Sequence, residues 1–299
     1  MHSDLVEVGW TEEHWSRICC AVTEEAQKAR VAAQALSVVG PLDPTTVAVP
    51  SYALGPTRNP LAATGSVPAE RLEVSSDPTL HLTKIAVNVY VRAREAADPE
   101  LNAALTMFRR AANYIARIED ALLFNGRPGP NAAPLYGIGG IPDVYRTTGE
   151  GAVEGLLFGA PGTRSQVSVP RQIGATQGDQ VVTAIIASIN DLDAAGQLGP
   201  YACMLSPALF QAICTPNASL VLPRDRILPF LQGPLLRSSA IQDPYGVVIA
   251  LSANPIELVV ASDIHVKFLQ TTEQPRLAFQ VSERVALRIK EFSAISVLT

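Results

Sequence analysis

Residues 196–213 read GQLGPYACMLSPALFQAI. Gly196 stops one helical segment, Tyr201 to Leu205 is a short apolar strand, and Ser206-Pro207 caps a helix that runs to Ile213. The stretch poses a choice between a reactive Cys203 on a strand edge and plain framework. The neighbours of Cys203 are apolar and no histidine lies nearby in sequence, so nothing local favours a thiolate. A buried small hydrophobe is the reading that fits.

Outward from that stretch the chain alternates between helices and strands in no regular order. Asp179 to Ala195 sets Val182, Ile185, Ile189 and Leu192 at helical spacing, and Arg224 to Gln232 forms a further short helix. Strands follow: GVVIALS (246–252), ELVVAS (257–262), DIHVKFLQ (263–270), RLAFQVSERVALRIK (276–290) and AISVL (294–298), with a hairpin turn over 271–275. Toward the N-terminus, Asp98-Pro99 opens the strongest helix, which Gly126 ends. Leu101, Leu105, Phe108, Ala112, Ile115, Ile118 and Leu122 give it one apolar stripe. Glu119 and Asp120 are neighbours on it that cannot face each other, and are expected on its solvated or capping side. Thr11 to Ala35 is a helix with Thr11 as cap and Glu12 and Glu13 in its first turn. Residues 49–78 are rich in Pro, Gly, Ser and Thr and offer little to bury, whereas KIAVNVYVRAR (84–94) alternates strictly. The two together predict a long extended hairpin arm. Residues 127–175 read as irregular connections with short strands, and the mixed order favours an α+β fold over a doubly wound sheet.

Composition narrows the function. Charged residues make up 17% of the 299 positions and hydrophobic ones 47%, against roughly 25% charged in an average soluble chain. So little charge points to a surface covered by permanent protein contacts, hence to an oligomer. A net charge of −5 without a Lys/Arg run predicts no nucleic-acid partner. No basic, then apolar leader and no membrane-length run is visible, so the chain reads as soluble and cytoplasmic, with no membrane partner. The four cysteines form no CxxC pair and the four histidines no HxxxH or HxH spacing, so neither a metal site nor a cofactor is expected. YGIGGIP (136–142) lacks the Gly-Lys-Ser/Thr of a phosphate loop, and no nucleophile elbow occurs. No residue is therefore assigned as catalytic, and the chain is not expected to be an enzyme.

GQLGPYACMLSPALFQAI resembles the encapsulin (linocin-like) pattern of a glycine-ended helix, GPY, an apolar strand and a short capped helix. EEHWSRI (12–18) resembles that family's opening helix, GPL (40–42) its following turn, and IEDALLFNG (118–126) the end of its long spine helix. ELVVASDIHVKFLQ, followed by FQVSERVALRIKEFSAISVL, resembles its closing strands. The resemblance runs in order along nearly the whole chain. It implies the HK97-type capsid fold with three parts: a peripheral domain (1–48, 92–140 and 256–299), an extended arm, or E-loop (49–91), and an axial domain (141–255). Residues 143–175 are longer than the family pattern between spine and axial domain. Lys84, at the base of the arm, does not match the phage-type lysine–asparagine crosslink.

The function so implied is a self-assembling shell subunit of a bacterial nanocompartment, an icosahedral homo-oligomer enclosing a cargo enzyme. The alternative is a phage or prophage major capsid protein that packages DNA; a protease or bacteriocin would need a catalytic constellation. By resemblance, Thr215, Pro216, Asn217, Ala218, Ser219 and Leu220 approach the five-fold axis and line a pore. By the same resemblance, Val22, Ala26, Ala29 and Ala33 of the first helix, with Ile289, Ile295 and Val297 of the final strands, line a groove for the cargo's short tail peptide.

Overall fold

The computed structural model describes residues 8–58, 70–75, 79–134, 139–159, 164–169, 177–216, 221–272 and 276–299. In chain order its elements are α1 (Glu12–Ala29), β1 (Ser37–Val39), β2 (Ala48–Pro50), β3 (Ala53–Arg58), β4 (Glu70–Ser75), β5 (Thr79–His81), β6 (Thr83–Arg92), α2 (Ala93–Ala96), α3 (Asn102–Asn125), β7 (Tyr145–Thr148) and β8 (Ser165–Val167). They continue with α4 (Gln177–Ala194), β9 (Tyr201–Leu205), α5 (Pro207–Cys214), α6 (Pro223–Leu231), β10 (Gln232–Arg237), β11 (Gly246–Ala250), β12 (Ile256–Thr271), β13 (Arg276–Ile289) and β14 (Ile295–Leu298).

Two five-stranded sheets organise the chain, in the orders β1-β12-β13-β6-β7 and β10-β9-β11-β14-β8. The first is built on the long antiparallel hairpin β12–β13, with β6 antiparallel to β13 over its whole length. Alternation in β6 has its expected cause: Ile85, Val87, Val89 and Val91 are buried toward α1 and α3, and Asn88, Tyr90 and Arg92 are exposed on the opposite side. Over that buried face lies an aromatic box in which Trp10 stacks on Phe279 with ring centroids 4.9 Å apart, and Phe108 and Phe268 meet Phe279 edge-on.

The second sheet is covered on both faces. Ala202, Met204, Val247 and Ile249 face the large core shared with α1, α3 and the first sheet. Tyr201, Cys203, Leu205 and Val248 face a second core closed by α4, α5 and α6. Double cover is why YACML and GVVIA are continuous apolar runs rather than alternating ones. Cys203 is fully buried in β9 with its thiol pushed up by that burial, so it is framework, as expected.

Three elements differ from the sequence reading. The first helix ends at Ala29 rather than Ala35, because Arg30 turns extended and the amides of Val31 and Ala32 donate to the Asp120 carboxylate instead of continuing the helix. The spine helix α3 begins at Asn102, after a turn in which the Asp98 carboxylate accepts from the amides of Glu100 and Asn102 and Leu101 is left-handed. β14, expected among the closing strands with β12 and β13, pairs instead with β11 and β8 in the second sheet. At the far end of α3, Gly126 has φ +72°, and a Cβ there would collide with the Val153 carbonyl. The close approach lets Leu156 and Leu157 donate to the Leu123 and Phe124 carbonyls, satisfying the end of the helix.

Candidate functional site

The ribbon expected to be an arm forms its own small sheet. β3 and β4 form an antiparallel two-stranded sheet of their own, paired from Ala53↔Ser75 to Arg58↔Glu70, and neither joins a main sheet. Such a ribbon is marginal on its own. Its root, by contrast, is firmly held. β2 pairs with β5, and Val49, Leu82, Val259, Ala261 and Ala286 bury a small core beneath the pair.

Two arginines of β13 tie the root down. Arg284 donates through Nη1 to the carbonyls of Pro44 and Thr46, at 3.1 and 3.0 Å. Arg288 donates through Nε to its cross-strand partner Glu257 at 2.9 Å, while its guanidinium lies 5.1 Å from the Tyr52 ring. Lys290 Nζ donates to the other oxygen of Glu257, and the Lys290 carbonyl accepts from the Leu54 amide at 2.8 Å. Burial alone would raise the Glu257 carboxyl, but the bonds from Lys290 and Arg288 outweigh it and hold it below the usual range. A cleft of about 240 Å³ opens beside this root, lined by Ser51, Ala53, Leu80, Val153, Ile289 and Phe292.

A second ionic cluster fixes the end of α1. Arg30 donates to Glu119 Oε2 at 2.6 Å, to Glu283 Oε2 at 2.5 Å and to Asp263 Oδ1 at 3.0 Å. Glu119 and Glu283 are fully buried. Burial pushes Glu119 well above the carboxylate range, reinforced by Glu283 and opposed by Arg30; Glu283 rises for the same first cause. Asp120 is raised by burial to about 7, against the amides of Ala32 and Val31. Of the expectation that Glu119 and Asp120 sit on the solvated or capping side, the solvated part is corrected: both are buried, and Asp120 caps the turn after α1. Arg30, Glu119 and Glu283 form a joint that the sequence reading missed. The available signal was IEDALLFN, where an acidic pair is embedded in a run too apolar to flank a solvated face.

The seven residues expected to line the cargo groove all lie in or against the large core. Val22 and Ala26 are buried in the chain's own core, with Ala29 and Ala33 only partly buried at its margin. Ile289 lines the cleft at the arm root, and Ile295 and Val297 are buried in β14 of the second sheet. Five of the seven (Val22, Ala26, Ile289, Ile295 and Val297) are buried in one core, and Ala29 and Ala33 pack against its edge. Thr215 and Pro216 are exposed at the end of α5, with Thr215 Oγ1 donating to the Gln211 carbonyl at 2.8 Å. Asn217, Ala218, Ser219 and Leu220 lie outside the described residues. Among the described residues no group of three His, Cys, Asp or Glu could hold a metal ion. No helix among them is long and apolar enough to cross a membrane.

The virus-like particle from Pyrococcus furiosus aligns with a TM-score of 0.65 at 14% identity, covering 96% of this chain and 100% of that one. The capsid of Myoviridae phage XM1 gives 0.58 at 14% identity, with 90% of each chain covered. Mycobacterium phage Bobi gives 0.57 at 16% identity, covering 91% of this chain and 90% of that one. The fold is thus the α+β fold of HK97-type capsid proteins. Among curated proteins none matches in sequence. The family model described as encapsulating protein for peroxidase (Linocin_M18) matches residues 8–138 and 143–286, and the chain belongs to that family.

Proposed function

We propose that the chain is a self-assembling shell subunit of an encapsulin nanocompartment, a closed homo-oligomer that encloses a cargo enzyme. The observation that carries the reading is the β3–β4 ribbon, which among the described residues pairs with no other strand while its root is held to β13 by Arg284 and Arg288. A ribbon so held and so unsupported is suited to borrow order from a neighbour. In this reading residues 49–91 are the arm, 141–255 the axial domain, and 1–48, 92–140 and 256–299 the peripheral domain, with β14 contributing to the axial sheet. The shell encloses chemistry without performing it, so the chain itself is not an enzyme, and its compartment is the cytoplasm.

The family's description names a peroxidase as what its members encapsulate. A cargo of that kind, held by a short tail peptide, would meet the end of α1 and the turn after it, where Ala29 and Ala33 remain partly exposed. The loop 215–220 would line a small, uncharged pore. A phage or prophage capsid protein shares the fold; the family match favours the nanocompartment.

Light scattering and negative-stain microscopy of the purified protein test the reading. Closed particles of uniform size are expected, and a stable monomer or dimer at all concentrations overturns it. Particles that protect DNA from nuclease, and no enzyme, transfer the chain to the capsid alternative.

A further inference from the structure

Arg30 holds two carboxyls in a place that fits one. Nε and Nη2 form an edge of the guanidinium that matches both oxygens of a single carboxylate. Here Nε donates to Oε2 of Glu119 at 2.6 Å and Nη2 to Oε2 of Glu283 at 2.5 Å. The two acids, one from α3 and one from β13, are thereby pressed together at 0% and 1% exposure. Oε1 of each is buried and meets no donor among the described residues.

The strand beside them is deformed at the same point. In β12, Asp263 and Ile264 together oppose the single residue Glu283, because Ser262 pairs with Arg284 and His265 with Ser282. An extra residue of this kind re-aims side chains, and here Asp263 Oδ1 accepts from Arg30 Nη2 at 3.0 Å. The remaining acid at the cluster is Asp120 of α3, which accepts from the Val31 and Ala32 amides. β6 sets only the apolar Ile85 against Glu283. One guanidinium thus faces four carboxyls, of which Asp263 alone is half exposed and open to solvation.

Two buried carboxyls in contact cannot both stay ionised on one cation. A proton between Glu119 and Glu283 resolves the conflict, since the pair then carries one negative charge against one Arg30 and an orphaned oxygen becomes a donor. The two side chains do hydrogen-bond each other, and burial above all raises both beyond the carboxylate range. A metal ion has no comparable claim, because no group of three His, Cys, Asp or Glu among the described residues could hold one.

We infer that Glu119 and Glu283 share one proton and that this proton is a latch: while it is held, Arg30 pins the end of α1 to α3 and β13, and its loss as pH rises frees residues 30–36. That segment is the part able to give. It contains a single 3₁₀ turn, Ala32–Gln34, and borders a cleft of about 220 Å³ lined by Gln34, Leu36, Ser37 and Asn254. Acids raised on folding support the native state fully below their unfolded values and withdraw that support as pH climbs through the folded ones. The latch belongs to the single chain and stands whether or not that chain builds a shell.

Infrared spectroscopy of the full-length protein reads the proton directly, through the carbonyl band of an un-ionised acid. At about pH 8 exposed carboxyls are ionised. Wild type is expected to keep one such band there, Asp120→Asn to keep it too, and Glu119→Gln and Glu283→Gln each to lose it, the amide standing in for the acid. Hydrogen exchange of residues 30–36, corrected for the ordinary pH dependence of exchange, follows the latch itself. In wild type it is expected to quicken by about tenfold per pH unit, the response to one proton, and to level off where the band disappears. Glu119→Gln is expected to remove that slope above about pH 7, the value at which Asp120 titrates. Folded wild type with no acid band at about pH 8 overturns the inference, whatever the variants do. A band that survives both glutamine substitutions also overturns it, as does an exchange slope that is the same in Glu119→Gln as in wild type.

Discussion

Arg30 Nε donates to Glu119 Oε2 at 2.6 Å and so joins the residue that ends α1 to the interior of α3. The same guanidinium reaches Glu283 of β13, which makes one cation the common partner of a helix and a sheet. Two carboxyls buried this deeply are tolerable only while that cation is present.

Replacing Arg30 by Met is expected to cost about 3–5 kcal/mol, the range for breaking a buried pair from one side. Trp10 and Trp15 lie in the adjoining core and report the loss as an earlier fluorescence transition on heating. An unchanged midpoint would show that the carboxyls are neutral and indifferent to Arg30.

Stability should fall as pH rises from the ordinary carboxylate range toward neutrality. A folded-state value raised above the unfolded one contributes stability that is complete below the unfolded value and lost as pH climbs through the folded value. For Asp120 the window runs from 3.8 to about 7. Unfolding midpoints measured across that window should decline for wild type and decline less for Asp120→Asn; equal slopes would remove Asp120 as the source.

Gly126→Ala is expected to destabilise by more than about 1 kcal/mol, since a side chain meets both a left-handed backbone and the Val153 carbonyl. Denaturant titration would reveal it, and a neutral result would mean that the 153–157 segment can move away from the end of α3.

Ala26→Asp should unfold the subunit rather than empty the shell of cargo, because Ala26 is 0% exposed. Soluble yield and circular dichroism distinguish the outcomes. Intact, cargo-free particles would restore Ala26 to the cargo surface.

Deleting residues 55–72 removes most of the ribbon and touches neither main sheet. Folded subunits that assemble poorly are expected, by circular dichroism and light scattering together. Particles of normal heat stability would show that the ribbon is not what joins the copies.

Elements whose pattern is local were legible from sequence. β6 was readable because one of its faces is buried and the other wet, and Ser206-Pro207 because a cap and a proline at the first helical position act within one turn. The Asp98 cap was recognised, but it closes a turn before the helix instead of opening it, a distinction that depends on the left-handed Leu101. What stayed illegible was long-range. Nothing near Glu119 announces that Arg30 arrives 89 residues away. Ile295 and Val297 carry the same apolar alternation whichever sheet receives them, so their place in the second sheet was not readable from the pattern.

β13 is the strand on which β6 and β12 both lean, and β14 is the bridge between β11 and β8. Both lie in the last stretch of the chain, beyond residue 275. On the ribosome, then, the spine helix and the arm emerge long before either sheet can be closed. Arg284 and Arg288, which fasten the arm's root, arrive with β13. A chain interrupted before β13 therefore carries the β3–β4 ribbon on a root that has neither Arg284 nor Arg288 to hold it.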